Sequence, residues 1–265
     1  MVIGWLQSET GYLVLVAGLL GLCVGSFLNV VICRLPIMII SESNNETAGF
    51  NLCFPSSHCP RCSHVLAVRD NIPLLSYLCQ KGRCRYCNGM ISIRYPLVEG
   101  TVAVLFSLLA LFTGWNYSLL GLLMLSSMLV ALAVIDFESM LLPDQLTLSL
   151  LWLGLLFNLY SAGFVALPLA ISGVVCGYLF FRLVGWIARQ LIQCDALGRG
   201  DAKFLAALGA WLGVEALPLV VLLAASLTLI SYLTIWRLRR IRTEPQIPFG
   251  PGLAMAGLIV AFCQR

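Results

Sequence analysis

Two long stretches without a charged side chain constrain this chain more than any other feature. No charged residue occurs from Thr101 to Ile135 or from Gln145 to Phe181. Each run is long enough for two membrane-spanning helices of about 20 residues, and each is broken once near its middle, at TGWNY and at NLYSAGF. Hydrophobic residues make up 60% of the chain and charged residues only 11%. The sequence therefore predicts a polytopic membrane protein of the all-α class.

The other apolar stretches bring the number of predicted spans to about eight. The run from Phe204 to Trp236 contains one charge, Glu215, at the break GVEALP, so it also divides into two spans. We predict membrane segments at residues 11–33, 97–113, 117–135, 146–160, 164–186, 202–214, 216–236 and 250–264. The expected organisation is a first transmembrane helix over 1–33, a cytoplasmic zinc-binding domain over 34–96 and a seven-helix membrane core over 97–265.

The positions of lysine and arginine predict the orientation in the membrane. Of the 16 basic residues, seven lie from Arg34 to Arg94, four from Arg182 to Lys203 and four from Arg237 to Arg242. Short loops rich in basic residues remain in the cytoplasm, so we expect both termini on the opposite side. The first span has no basic segment before it, and we expect it to be retained rather than cleaved. The net charge of +4 is explained by topology, and no nucleic-acid partner is expected.

The hydrophilic segment contains two CxxC pairs, Cys59 with Cys62 and Cys84 with Cys87. Two such turns, 21 residues apart, are typical of a four-thiolate zinc site. A pair of disulfides is the competing interpretation, but disulfides rarely persist in the reducing cytosol. A closed four-sulfur site has no open coordination position, so the predicted zinc is structural. His58 and His64 flank the first pair and are the alternative ligands.

Two aspartates are predicted to lie at the cytoplasmic membrane edge. Asp136 ends the third predicted span, and Asp201 begins the sixth in the stretch GRGDAKFLAAL. The structural alternative is that both are helix-end residues, with Asp201 as an N-cap. Gly198 and Gly200 favour a site instead, because glycine permits positive φ and lets a substrate strand approach the backbone closely.

Two carboxylates that face one cavity would share a proton, because like charges at close range cannot both ionise easily. One would then act as general base on a water molecule while the other, protonated, polarises a carbonyl. This chemistry needs no covalent intermediate. The sequence thus predicts an aspartic protease, provided that Asp136 and Asp201 converge.

Several motifs together resemble those of the type IV prepilin peptidases, also called leader peptidase/N-methyltransferases. They are the GRGDAK stretch at 198–203, Asp136 followed after six residues by Pro143-Asp144, the run GSFLNVV at 25–31, the two CxxC pairs and IPFGPGLA at 247–254. The resemblance covers nearly the whole chain.

The resemblance implies a bacterial inner-membrane aspartic protease that cuts the basic leader of type IV prepilins or type II secretion pseudopilins on the cytoplasmic side. It implies that the catalytic pair is Asp136 and Asp201. It also implies methylation of the new N-terminal residue with S-adenosylmethionine as methyl donor. We expect a methyl-transfer or substrate site to include some of five residues, namely Gly25, Ser26, Asn29, Glu99 and Lys203.

For these five residues, non-catalytic roles are the alternatives: close packing for Gly25, Ser26 and Asn29, an interfacial acid for Glu99, and a snorkelling anchor for Lys203. Asp144 is expected to cap the following helix. Two other functions remain open, a membrane transporter and a zinc-anchored assembly factor of a secretion system without peptidase activity. The sequence does not indicate which substrates are cut or whether the chain oligomerises.

Overall fold

The structure is a computed structural model that describes residues 2–43, 51–160, 163–192, 198–239 and 248–264. These residues form α-helices, two 3₁₀ helices at Val68–Asn71 and Val214–Ala216, and only isolated β-bridges. The described connections are short except for residues 51–93, which are largely irregular. The α-helices are α1 (Val2–Ser43), α2 (Leu75–Cys79), α3 (Arg94–Thr113), α4 (Tyr117–Ser139), α5 (Asp144–Phe157), α6 (Leu167–Ile192), α7 (Arg199–Leu212), α8 (Leu217–Arg239) and α9 (Gly250–Cys263). The all-α prediction is confirmed.

Among the described residues, five stretches are long and apolar enough to cross a membrane, in α1, α3, α4, α6 and the segment Val214–Thr234. Helices α5, α7 and α9 have 14 residues each. At a rise of about 1.5 Å per residue, each is about 21 Å long, which is shorter than a hydrocarbon core of about 30 Å. The chain is therefore a multi-pass membrane protein with at least these five candidate spans, and the count of eight remains a prediction.

Helix α1 continues well past its predicted end at residue 33. It runs to Ser43 and includes Pro36. The guanidinium of Arg34 donates hydrogen bonds to three loop carbonyls, those of Asn51, Leu52 and Pro55. A charged side chain such as Arg34 can end an apolar span without ending the helix, because hydrogen bonds satisfy its charge. The helix therefore continues to Ser43 although the apolar run stops at residue 33.

The chain forms two compact units, residues 1–119 and 120–265. In the first unit, α3 packs against α1. The two helices approach closely at Gly21 and Gly25, where an added Cβ would lie 2.7 Å from the Cα of Ala103 and 2.8 Å from the Cα of Glu99. Glycines four residues apart allow this close packing of membrane helices.

In the second unit, α7 is the central helix. Every residue from Phe204 to Leu212 is buried, as expected for a helix surrounded by others. The indole of Trp211 donates a hydrogen bond to the Leu150 carbonyl at 2.9 Å, and the Asn158 amide donates to the carbonyls of Ala210 and Trp211. These contacts fix α7, and with it Asp201 in its first turn.

Candidate active site and cysteine cluster

Asp136 lies near the C-terminal end of α4 and is buried, with 6% of its surface exposed. Its Oδ2 atom accepts a hydrogen bond from the backbone N–H of Gly250 at 2.8 Å. Gly250 is the first residue of α9, and a Cβ at this position would lie 2.6 Å from Asp136 Oδ2. Only glycine therefore fits beside the carboxylate without displacing it.

Asp201 is the third residue of α7, and its Oδ2 accepts a hydrogen bond from the Gly198 N–H at 3.1 Å. Asp201 lies outside the candidate membrane spans. Burial raises the pKa of Asp201 to about 6, the nearby charge of Asp136 adds to the rise, and the Gly198 hydrogen bond opposes it. The structure thus brings the two carboxylates close enough to interact electrostatically.

The glycines around Asp201 do not use the positive φ that glycine permits. Gly198 has φ −68°, and Gly200 does not have positive φ either. An added Cβ on Gly200 would instead lie 2.8 Å from the Cβ of Leu142. Gly200 is therefore a packing contact between α7 and the turn after α4, and Gly198, rather than Asp201, occupies the N-cap.

Lys203 forms an ion pair with Asp144, in which Nζ lies 2.6 Å from Oδ1 and 2.7 Å from Oδ2. Asp144 is the first residue of α5, and the N-cap position belongs to Pro143. The structure therefore differs from the expected capping role for Asp144, and it gives Lys203, expected as a snorkelling anchor, an ion-pair partner. The ion pair connects the start of α5 to the N-terminal part of α7.

The other four residues predicted for methyl transfer lie together along the seam between α1 and α3. Gly25 packs against the Glu99 backbone, where an added Cβ would lie 2.8 Å from the Glu99 Cα, and Ser26 is the next residue of α1. The Asn29 amide donates to the Tyr95 carbonyl at 3.1 Å, while its Oδ1 is buried without a hydrogen-bond partner among the described residues. Lys203 belongs to the second unit.

The four predicted cysteine ligands form one cluster, in which all four Sγ atoms lie within 4.8 Å of one another. The Sγ atoms of Cys59 and Cys87 are 3.8 Å apart. A tetrahedron with metal–sulfur bonds of about 2.3 Å has an edge of about 3.8 Å, whereas a disulfide bond measures about 2.05 Å. The described cysteines are free thiols, so the cluster fits a metal ion rather than disulfides.

The two CxxC turns repeat the same backbone geometry. The N–H of Cys59 donates to the His64 carbonyl, and that of Cys84 donates to the Gly89 carbonyl. Ser63 and Asn88, each directly after the second cysteine of its pair, have φ of 56° and 55°. The repeat aims two pairs of sulfurs at one point, which is what a four-thiolate site requires.

The surroundings of the cluster exclude histidine ligands among the described residues. The four thiols do not ionise alike: backbone N–H groups of Cys62 and Arg61 lower the pKa of Cys59 to about 6, whereas burial and the neighbouring cysteines raise the pKa of Cys62 to about 11 against the backbone N–H of His64. One thiolate thus disfavours a second one beside it. The His64 ring packs on Tyr86 with ring centroids 3.6 Å apart, and the Nδ1 atom of His58 is hydrogen-bonded to the Ser56 carbonyl. Neither histidine joins the metal-ligand group.

Gly250 is the contact that sequence reasoning did not assign to the site. The signal was the stretch PFGPG at 248–252, which predicts an interrupted helix with exposed backbone. That stretch does not indicate which carboxylate receives the free N–H group.

Comparisons with known proteins give the family. The Bacterial Peptidase A24 N-terminal domain matches residues 19–113, and the Type IV leader peptidase family matches residues 123–233. Three relatives are all named prepilin leader peptidase/N-methyltransferase. The protein of Pectobacterium carotovorum subsp. carotovorum is 48% identical over 91% of this chain and 90% of its own length. That of Aeromonas salmonicida is 47% identical over 91% of this chain and 87% of its own length. That of Neisseria gonorrhoeae is 40% identical over 92% of this chain and 88% of its own length. No solved structure matches the chain significantly. The chain belongs to the type IV leader peptidase family.

Proposed function

We propose that this enzyme cleaves the N-terminal leader of type IV prepilins or type II secretion pseudopilins by a two-aspartate mechanism. The observation that carries the proposal is the approach of Asp136 and Asp201, which start 65 positions apart in the chain and interact through their charges. Family membership supplies the reaction class, a peptidase with methyltransferase activity. The proposed location of the site is the cytoplasmic face of the inner membrane, and the distribution of basic residues among the loops supports it.

Asp201 is the acid of the pair in this mechanism. Its pKa of about 6 lets it hold a proton at mildly acidic pH, and in a minority of molecules at neutral pH, and the protonated form donates a hydrogen bond to the scissile carbonyl. Asp136 is then the carboxylate that takes a proton from the attacking water, and the Gly250 N–H holds it in place. The proton that Asp136 gains passes to the leaving amine, and the pair returns to one shared proton.

Methylation of the new N-terminal residue is the second proposed activity, with S-adenosylmethionine as the source of the methyl group. The side chains between α1 and α3 are complementary in charge to such a cationic molecule. Glu99 offers a carboxylate, and Asn29 Oδ1 is a buried acceptor without a partner among the described residues. Asn29 and Glu99 are therefore the residues that would hold the methyl donor.

The metal of the cysteine cluster is proposed to be zinc in a structural role. Four thiolates in tetrahedral spacing suit zinc, and the closed ligand set has no position for substrate. The described residues 51–93 contain only the short helices Val68–Asn71 and α2, so metal binding would supply much of the folding free energy of this segment.

The two alternative functions have less support. A transporter with acids at the membrane midplane does not fit Asp136 and Asp201, because each lies within four residues of a helix end. An assembly factor without peptidase activity gives no reason for the paired carboxylates.

The test is leader cleavage by purified variants in lipid nanodiscs, with a prepilin as substrate and mass spectrometry of the product. Asp136→Asn and Asp201→Asn should each abolish cleavage while the protein remains inserted and monodisperse. Glu138→Gln is the matched control, since Glu138 is an exposed acid two residues from Asp136. Normal cleavage by both Asn variants would refute the mechanism.

A further inference from the structure

The segment from Ile72 to Gln80 exposes a group of large apolar side chains. Ile72 is 43% exposed, Leu75 59% and Leu78 68%. Leu75 and Leu78 are three residues apart in α2, so they lie on the same face of that helix. A contiguous apolar face of this kind is rarely left in water and normally meets a partner or a membrane.

The depth of this segment follows from its contact with α3. The backbone N–H of Leu74 donates a hydrogen bond to Glu99 Oε2 at 2.8 Å. Glu99 lies five residues past Arg94, which is about 7.5 Å along the helix axis. Because α3 has 20 residues, its length of about 30 Å equals the thickness of the hydrocarbon core. The Glu99 side chain points back toward the start of α3, so Leu74 lies close to the boundary that Arg94 marks.

The backbone of the segment is suited to that depth, where water is scarce and N–H groups need internal partners. Pro73 has no N–H group. The N–H groups of Leu75, Ser76 and Leu78 donate to the carbonyls of Pro73, Ile72 and Leu74. Leu74 itself has φ 57°, an unfavourable conformation for a branched side chain, and its hydrogen bond to Glu99 stabilises this conformation.

The charges around α2 are complementary to an anionic membrane surface. Arg69 and Lys81 flank the segment and are exposed. Residues 51–93 contain five basic side chains and one acidic one, so the net charge remains positive even after four thiolates and a divalent metal contribute minus two. Each basic residue near an anionic leaflet adds to the attraction.

We propose that residues 72–80 form an interfacial anchor, in which the exposed face of α2 lies among the lipids at the headgroup boundary and holds the cysteine cluster against the membrane surface. The occupant of this face is an anionic lipid leaflet. The inference goes beyond the proposed function and does not depend on it, because it rests on the position of Leu74 against a membrane-spanning helix. It gives Glu99 a structural role as the acceptor that fixes the anchor.

The experiment uses the full-length protein in nanodiscs that contain anionic lipid. A photoreactive benzophenone amino acid replaces Leu78, and after irradiation mass spectrometry counts lipid adducts. The same amino acid at Leu108, an exposed residue of the α3 span, gives the reference yield for a lipid-facing site. We expect adduct yields at the two positions to agree within about twofold, and the yield at position 78 to fall when zwitterionic lipid replaces the anionic lipid.

Two substitutions at Glu99 test the hydrogen bond. Glu99→Gln keeps an acceptor oxygen and should retain the adduct at position 78, whereas Glu99→Leu removes the acceptor and should lose most of it, with the Leu108 adduct unchanged. Metal content shows that the cysteine cluster remains folded in each variant. Absence of lipid adducts at position 78, crosslinks to a second copy of the chain, or equal yields in both lipids would overturn the proposal.

Discussion

Gly250→Ala is the sharpest test of the site geometry, because one added methyl group acts directly on a carboxylate. The new Cβ would lie 2.6 Å from Asp136 Oδ2, 2.9 Å from its Cγ and 3.1 Å from its Cβ. Ordinary contact begins at 3.4 Å, so the carboxylate must move by roughly 0.8 Å, the difference between 3.4 and 2.6 Å. The helix itself should tolerate alanine well, since alanine has the higher helix propensity.

A displacement of about 1 Å at a reacting group lowers the rate by about 100-fold. We therefore expect kcat/KM for leader cleavage to fall by about 10- to 100-fold, which corresponds to about 1.4–2.7 kcal/mol of transition-state stabilisation. The assay is the initial rate of prepilin cleavage in nanodiscs, measured beside the thermal stability of the same sample.

Two controls make this result interpretable. Gly11→Ala is the matched variant, because a Cβ at Gly11 meets nothing within 4 Å, and its rate should equal that of the wild type. The thermal midpoint of Gly250→Ala is the second control, and it should change little, because a helix tolerates alanine in place of glycine. A rate for Gly250→Ala within twofold of the wild type would refute the placement of Asp136 beside Gly250.

Three further predictions follow from the same contacts. Cleavage should slow as the pH rises through about 6, because Asp201, whose pKa is raised to about 6, loses the proton that polarises the carbonyl; a rate that climbs steadily from pH 6 to pH 8 would contradict its role as the acid. Cys59→Ser and Cys84→Ser should each reduce bound zinc from one ion per chain to near zero by elemental analysis, and unchanged metal content would show that the ligand set is wrong. Asn158→Leu should lower the thermal midpoint by roughly 2–10 °C. It leaves the buried carbonyls of Ala210 and Trp211 without their donor, which costs about 1–3 kcal/mol of unfolding free energy. An unchanged midpoint would mean that the stability of α7 does not depend on this amide.

Sequence patterns predicted the features that depend on neighbouring residues, namely the helix breaks and the cysteine cluster. The breaks TGWNY and GVEALP lie where α3 gives way to α4 and α7 to α8, because polar and helix-terminating residues interrupt otherwise apolar runs. The CxxC spacing predicted the four-sulfur cluster, since each short turn fixes two sulfurs relative to each other. The end of α1 was misplaced because the hydrogen bonds that satisfy Arg34 come from residues 51–55.

The hydrogen bonds that Asp136 and Glu99 accept could not be predicted from the sequence, and the physical reason is the same for both. Asp136 and Glu99 both receive hydrogen bonds from backbone N–H groups, those of Gly250 and Leu74. Every residue except proline carries such a donor, so the identity of the donor residue gives no signal, and the partners are 114 and 25 positions apart in the chain. A Cβ at Gly250 is excluded only because folding brings Asp136 against it. The specificity of these contacts therefore comes from packing, which is why a substitution that adds volume at Gly250 tests the site more directly than one that removes a charge.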